Sequence, residues 1–384
     1  MNNKYDIFII GGGINGAGIA RDAAGRGLKV CLADKGEIGG ATSSWSTKLI
    51  HGGLRYLENY EFKLVAESLR EREVIHRIAP NITKPIPFII PHSKKLRSAW
   101  LIRIGLFLYD NLGGKTIIPK SKSINLLKEY PGLLKKNFIK GFQYYDVQVD
   151  DKKLTQLNAQ DAKKNQALIL ENTKVNNVER FKDHWNVYLE DGQVITSTIL
   201  INAAGPWINE VLKNIVKIKS KKTIRLIKGS HIIIKKLYEE EVAFTLQNED
   251  KRIIFVIPYK DKFSLIGTTE VPVESPEAPS IDQEEIEYLI KSVNNYFIKQ
   301  VNLSDVIDTY AGVRPLIEDF KEATKVTRDY VFDLNAQDQL SPLLSIYGGK
   351  LTTYRKLSDN VFEELKNFLP SYTGKAWTDK KKLS

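Results

Sequence analysis

Apolar and polar positions alternate along the chain in two periods. Tyr5 to Ile10 is a short apolar strand, and Gly11-Gly12-Gly13-Ile14-Asn15-Gly16-Ala17-Gly18 follows it directly. A small-residue helix runs through Ala24, and a second strand, Lys29 to Ala33, ends in Asp34. Phe62 to Ile78 carries charged and apolar residues at helical spacing, which predicts an amphipathic helix, and Asp150 to Lys164 reads as another. Gln166 to Val175 is strand-like and enters a meander: Trp185 to Leu189, a turn at Glu190-Asp191-Gly192, then Val194 to Ile201. Four further β-rich runs follow, Ile224–Ile227, His231–Ile234, Ile253–Ile257 and Phe263–Ile266. Turns at Asp250-Lys251 and Lys260-Asp261 join them into an antiparallel sheet, and Ile281 to Lys299 is expected to be a helix.

The first of these patterns has chemical content. Gly11, Gly13 and Gly16 supply the tight turn, the close backbone approach and the close helix–strand packing of a dinucleotide site. The helix N-terminus offers free N–H groups and partial positive charge to a pyrophosphate. Asp34 stands where an acid accepts ribose hydroxyls. Spacing alone does not separate FAD from NAD. The next segment favours a flavin: Thr42-Ser43-Ser44-Trp45-Ser46-Thr47-Lys48 is a dense run of hydroxyls where an NAD fold would continue into helix and strand.

With 384 residues, 42% hydrophobic and 27% charged, the chain is of ordinary globular composition. This excludes wholesale disorder, collagen-like repeats and coiled coil. A single cysteine, Cys31, makes no internal disulfide, so a reducing compartment is expected. No secretory signal is visible, and no window approaches the ~20 apolar residues of a spanning helix. The balance of 57 basic against 46 acidic residues, a net +11, points to an anionic partner. The basic residues are scattered without an aromatic-interleaved stripe, which argues against nucleic acid. One cysteine and five dispersed histidines give no metal-ligand spacing. Ser98 to Tyr109 is apolar around Arg103, with Lys94, Lys95, Arg97 and Lys115 flanking it. From the residues alone it reads equally as a headgroup-level membrane contact or as a helix buried between lobes.

Two longer blocks carry a resemblance. Gly11-Gly12-Gly13-x-x-Gly16-x-Gly18-x-Ala20-x-Asp22-x-x-x-Arg26-Gly27 and Gly348-Gly349-Lys350-Leu351-Thr352-Thr353-Tyr354-Arg355 resemble the two signatures of the FAD-dependent glycerol-3-phosphate dehydrogenases of the bacterial aerobic, respiratory type. Ile50 to Leu57, Lys228-Gly229-Ser230-His231, Gly267-Thr268-Thr269, Gly312-Val313-Arg314-Pro315 and Thr327-Arg328-Asp329-Tyr330 lie between them in family order. Gly40 stands where members often carry cysteine, and Ser358 where the second signature closes on alanine; both exchange one small residue for another.

The resemblance implies an α/β, two-dinucleotide-fold flavoprotein of the D-amino-acid-oxidase kind, with a Rossmann-like lobe and a second lobe on an antiparallel sheet. Residues 1–79, 146–215 and 340–370 are assigned to the FAD-binding domain and 80–145 and 216–339 to the substrate-binding domain. Family members continue into a helical C-terminal domain, and 371–384 is read as a tail at its start. The implied reaction is oxidation of sn-glycerol 3-phosphate to dihydroxyacetone phosphate by non-covalent FAD. Electrons would pass to a membrane quinone, with the protein peripheral on the anionic inner face of the cell membrane and a homodimer among the expected assemblies. Oxygen as acceptor, or a flavin-binding membrane module without catalysis, are the alternatives.

By motif match, His231, Arg314 and Lys350 are assigned to catalysis, and Arg55, Tyr56, Thr268 and Arg328 to the substrate. Planar guanidinium forks suit phosphate oxygens. The FAD is assigned to Gly11, Gly13, Asn15, Gly16, Asp34, Thr42, Ser43, Ser44, Lys48, His51, Val175, Ala204, Gly205, Gly349, Lys350, Leu351 and Thr352.

Overall fold

The computed structural model describes residues 4–93, 96–220, 222–318, 326–327 and 329–383. Two sheets carry the architecture. The first has eight strands, in the order Tyr330–Asn335, Leu343–Gly348, Val194–Asn202, Lys4–Ile10, Val30–Ala33, Leu168–Leu170, with Val175–Arg180 and Trp185–Leu189 extending from Val194–Asn202. Lys4–Ile10 lies parallel to both Val194–Asn202 and Val30–Ala33. Helices Ile14–Gly25, Asp151–Lys164 and Tyr354–Glu364 pack on one face through Ala17, Ala20, Ala159, Ala162, Leu357 and Val361. Small residues on the first two let them approach closely. The antiparallel meander covers the opposite face with Val178, Trp185 and Val187.

The second sheet has eleven strands, mostly antiparallel. Its spine is Ile224–Lys235, paired with Phe263–Gly267 on one side and Val306–Glu318 on the other. The sequence reads this spine as two runs because Lys228-Gly229-Ser230 interrupts the apolar pattern. Pairing on both edges keeps it one continuous strand. The helix expected over Ile281–Lys299 spans only Gln283–Asn294. Asp282 and Glu285 form a capping box at its start, and the Asn294 side chain turns back onto Val301 at its end. Phe62–Ile78 is helical over the range its periodicity predicts. Asp150 caps the helix that follows it, accepting from Lys153 N.

Sheet membership cuts across the sequence-based division. Tyr330–Asn335 joins the first sheet although it lies within 216–339, and Leu49–Ile50 pairs with Lys140–Val149 in the second. The segment after residue 370 docks on the first lobe. Trp377 packs against Gly25 and under the Arg21 guanidinium, Thr378 is buried, and Leu383 N donates to Ile78 O at 2.7 Å. Arg21 is itself buried against Asp161 at 2.7 Å.

Candidate active site between the two sheets

A cavity of about 740 Å³ runs from the first glycine turn to the face of the second sheet. At its nucleotide end, Gly11 closes the first strand with φ +107°. A β-carbon there would sit 2.6 Å from Ala203 O, and one on Gly16 would sit 1.9 Å from Gly11 O. Only hydrogen fits at either position, so at Gly11 backbone rather than side chain faces the cavity, with Gly16 packed beneath it. Helix Ile14–Gly25 begins at Gly13 with no side-chain cap from that residue; the Ser43 hydroxyl accepts from Ile14 N at 2.9 Å instead. Asp34 Oδ2 accepts from Gly12 N at 2.5 Å and Oδ1 from Gly36 N at 2.8 Å. The acid is thereby fixed at the end of the second strand. Val175, Ala204 and Gly205 line the same end.

The hydroxyl-rich loop joins the sheets. Thr42 donates to Val313 O at 2.8 Å. Ser44 is turned inward onto Ala41 O, and Lys48 pairs with the buried Asp151 at 2.8 Å; neither lines the cavity. Asp151 also accepts from the Ser46 hydroxyl at 2.6 Å, so it anchors both flanks of Thr47. Asp151 is one of the residues the sequence did not point to; it follows the capping Asp150 as the first residue of its helix.

The second signature meets the first here. Gly348 and Gly349 have φ of +74° and +97°, and Asn15 Nδ2 donates to Gly348 O at 3.2 Å. Asn15 Oδ1 is buried without a hydrogen-bond partner. Thr352 Oγ1 accepts from His51 N at 3.1 Å, and Lys350 Nζ lies 4.0 Å from the centroid of the Tyr56 ring. His51, Tyr56, Leu351 and Thr352 line the cavity with them.

At the opposite wall, His231 is buried on the long strand, stacked on Tyr310 at 4.7 Å. A β-carbon on Gly267, across the register, would lie 2.1 Å from His231 Cδ2. His231 Nε2 is 3.0 Å from the Thr47 hydroxyl, and Nδ1 has no hydrogen-bond partner. Burial, then the charges of Arg314 and Lys48, lower the imidazole to about 3, so the ring is neutral at neutral pH. Arg314 lines the cavity from the neighbouring strand, 3.8 Å from Glu270. Gly229 leaves room for both Thr268 Oγ1 and Arg314 Nη2, at 2.7 and 3.1 Å from where its β-carbon would be. Tyr310 is a further contributor without a sequence signal, and Thr47, read only as part of the hydroxyl run, is another; each meets His231 only through tertiary pairing.

The structure therefore brings together His231, Arg314, Lys350, Tyr56 and Thr268 with most of the residues assigned to the flavin. Arg55 does not line the cavity; it sits in the 3₁₀ turn Leu54–Asn59. Gly16 lies beneath the turn rather than on the cavity surface. Arg328 lies outside the described residues.

The glycine cradle, the fixed acid and the unpartnered Asn15 carbonyl fit a dinucleotide with a long reach between the lobes. Gly11→Ala is expected to weaken FAD binding about 5- to 30-fold, because left-handed backbone alone costs an L-residue roughly 1–2 kcal/mol. The ratio of visible to ultraviolet absorbance in the purified protein measures it.

The family model described as FAD dependent oxidoreductase matches residues 6–355. A glycerol-3-phosphate dehydrogenase of Pseudomonas aeruginosa is 48% identical, over 99% of this chain and 75% of its own length. A D-erythritol 1-phosphate dehydrogenase of Brucella abortus is 46% identical, over 97% of this chain and 76% of its own. The aerobic glycerol-3-phosphate dehydrogenase of Escherichia coli is also 46% identical, over 97% and 75%. Among solved structures, the glycerol-3-phosphate dehydrogenase of Bacillus halodurans complexed with FAD superposes with a TM-score of 0.77 at 27% identity, covering 99% of this chain and 68% of that one. A family match over residues 6–355, 48% identity to a relative over nearly the whole chain and a shared fold place this chain in the FAD dependent oxidoreductase family.

Proposed function

We propose that the chain oxidises sn-glycerol 3-phosphate to dihydroxyacetone phosphate with non-covalently held FAD, and that the electrons leave to a membrane quinone. The observation that carries this reading is one cavity with a dinucleotide cradle at one end and a neutral, buried histidine beside an arginine and a lysine at the other. The relatives named glycerol-3-phosphate dehydrogenase at 46–48% identity support the choice of substrate.

Gly11, Gly13, Asp34, Asn15 and the Gly348-Gly349 turn would hold the dinucleotide, and bound FAD would supply the acceptor for the hydride leaving the carbinol carbon. The chain's own groups do the rest. Arg314 grips the substrate's anionic oxygens and sets its orientation. His231, neutral and held by Tyr310 and Thr47, takes the hydroxyl proton. Lys350 places positive charge where negative charge develops. Thr268 is positioned to bond a substrate hydroxyl. Arg328 is proposed for the phosphate on its motif alone.

A four-carbon polyol phosphate is the second reading, favoured by the Brucella abortus relative. It has the same anionic handle and a secondary alcohol. Anaerobic reduction of the bound flavin by each compound in turn separates the two.

Membrane contact belongs to the same proposal. Helix Ala99–Leu112 turns Ile102, Leu106 and Tyr109 inward and leaves Trp100, Leu101, Ile104 and Phe107 exposed, Trp100 by 66% and Phe107 by 61%. Ile117 is exposed nearby in sequence, and Arg97, paired with Glu58, and Lys115 flank the helix. Among the described residues no helix is long and apolar enough to cross a membrane. An apolar face with flanking cations suits the headgroup region of an acidic bilayer. Trp100→Ser combined with Phe107→Ser is expected to reduce co-sedimentation with acidic phospholipid vesicles by more than about 10-fold, since each large side chain contributes roughly 1.5–3 kcal/mol when buried.

A further inference from the structure

The same helix has a second surface, directed at the cavity wall. Tyr109 is 3% exposed, and its hydroxyl oxygen accepts from Gly52 N at 2.7 Å. The hydroxyl donates to Asp146, whose oxygens lie at 2.8 and 2.9 Å. Asp146 in turn accepts from Arg72 Nη1 at 2.8 Å, and the same guanidinium reaches Tyr145 O and Glu73. Burial pushes Tyr109 well above its ordinary value, so the phenol remains the donor. Gly52 has no room to move toward the helix: a β-carbon there would lie 2.5 Å from Leu69 and 2.7 Å from the Tyr109 ring.

Gly52 stands between two residues that line the cavity. His51, on one side, is tied to Thr352 of the second signature. Tyr56, on the other, folds over Gly53, which has φ +77°, and carries Lys350 on its ring face. We infer that Tyr109 is a positioning residue: oriented by Asp146 and Arg72, its hydroxyl fixes the Gly52 backbone and thereby sets His51 against the flavin and Tyr56 and Lys350 against the substrate. Without the hydroxyl, Gly52 N–H keeps only its interaction with the Asp146 carboxylate and Asp146 loses a donor, so the backbone is held at fewer points and shifts. Displacements of about 1 Å at a reacting centre are enough to cost about 100-fold.

The inference rests on the proposed flavin chemistry, and its test keeps the two apart. Wild type, Tyr109→Phe and Leu106→Ala are compared as full-length, FAD-loaded proteins. Leu106 is fully buried on the same helix, in the same apolar cluster as Tyr109, and has no hydrogen-bonding side chain, so its truncation reports lost packing without removing a hydrogen bond. Three readouts are taken: melting temperature, visible circular dichroism of the bound flavin, and the rate of anaerobic flavin reduction by sn-glycerol 3-phosphate. Tyr109→Phe is expected to change the visible dichroism and slow reduction about 10-fold at saturating substrate, with KM little changed. Leu106→Ala is expected to lower the melting temperature and leave both other readouts as in wild type. A wild-type dichroism and rate in Tyr109→Phe, or an equal change in Leu106→Ala, overturns the inference. If Tyr109→Phe yields no folded holoprotein, Asp146→Asn decides in the same way: it keeps the phenol and weakens its acceptor, and the loss of the Asp146–Arg72 ion pair is read separately from the melting temperature. Should wild type itself resist reduction by the substrate, the proposed function fails, and the dichroism still judges Tyr109.

Discussion

Arg314→Ala is expected to keep its flavin and to lose between about 30-fold and several thousand-fold in kcat/KM for glycerol 3-phosphate. The range corresponds to the roughly 2–5 kcal/mol cost of truncating one partner of a hydrogen-bonded charge pair. The residue lies on Val306–Glu318 at the substrate end of the cavity, away from the glycine cradle, so FAD content has no reason to change. Glu270, 3.8 Å away, holds the guanidinium on the cavity side but leaves it 38% exposed. Arg314→Lys restores the charge without the planar fork and should recover only part of the loss. Anaerobic stopped-flow reduction of each variant measures the effect.

His231→Gln is expected to slow flavin reduction by about 10²–10⁴-fold, the usual contribution of a positioned base. The pH dependence has a definite sign. In the free site the imidazole is lowered to about 3, first by burial and then by the Arg314 and Lys48 charges. A phosphate dianion on Arg314 offsets one of those charges, so substrate binding raises the value. Activity is lost as pH falls through the imidazole's value in the complex, and the acid limb of kcat therefore lies above pH 3. Stability follows the same group. Its folded value is depressed, so the unfolded chain binds the proton more readily between about 3 and 6.5. The contribution to stability is complete above the unfolded value and is lost as pH falls through that window. In His231→Gln the fall in melting temperature over that range should be shallower than in wild type.

What the sequence disclosed was local. The spacing of Gly11, Gly13 and Gly16 between a strand and a helix announces the cradle because each glycine answers a backbone requirement, and Asp34 follows at the end of the next strand. Periodicity placed Phe62–Ile78 and Trp185–Leu189 because each buries one face. Long-range chemistry stayed hidden. Nothing near Tyr310 announces that its ring will cover His231, and nothing near Asp151 announces that it will hold Ser46 and Lys48. Lys48, read as a flavin ligand among hydroxyls, is an anchoring cation whose charge reaches the histidine. Arg55 carries a motif match yet sits in a turn off the cavity, because the left-handed Gly53 redirects the chain before it. The 99–112 segment showed its apolar content in sequence, but not that its outward face would be left uncovered while Tyr109 reached inward to Gly52.

The central claim is that a substrate phosphate and a flavin meet in one cavity, with His231 taking the proton. Anaerobic titration of the FAD-loaded protein with sn-glycerol 3-phosphate, followed by flavin absorbance, tests it most directly. Bleaching to the two-electron-reduced form in wild type, and its loss in His231→Gln and Arg314→Ala proteins that retain FAD, is the predicted result. A folded, yellow wild-type protein that keeps its full absorbance with glycerol 3-phosphate and with erythritol 1-phosphate alike would contradict it.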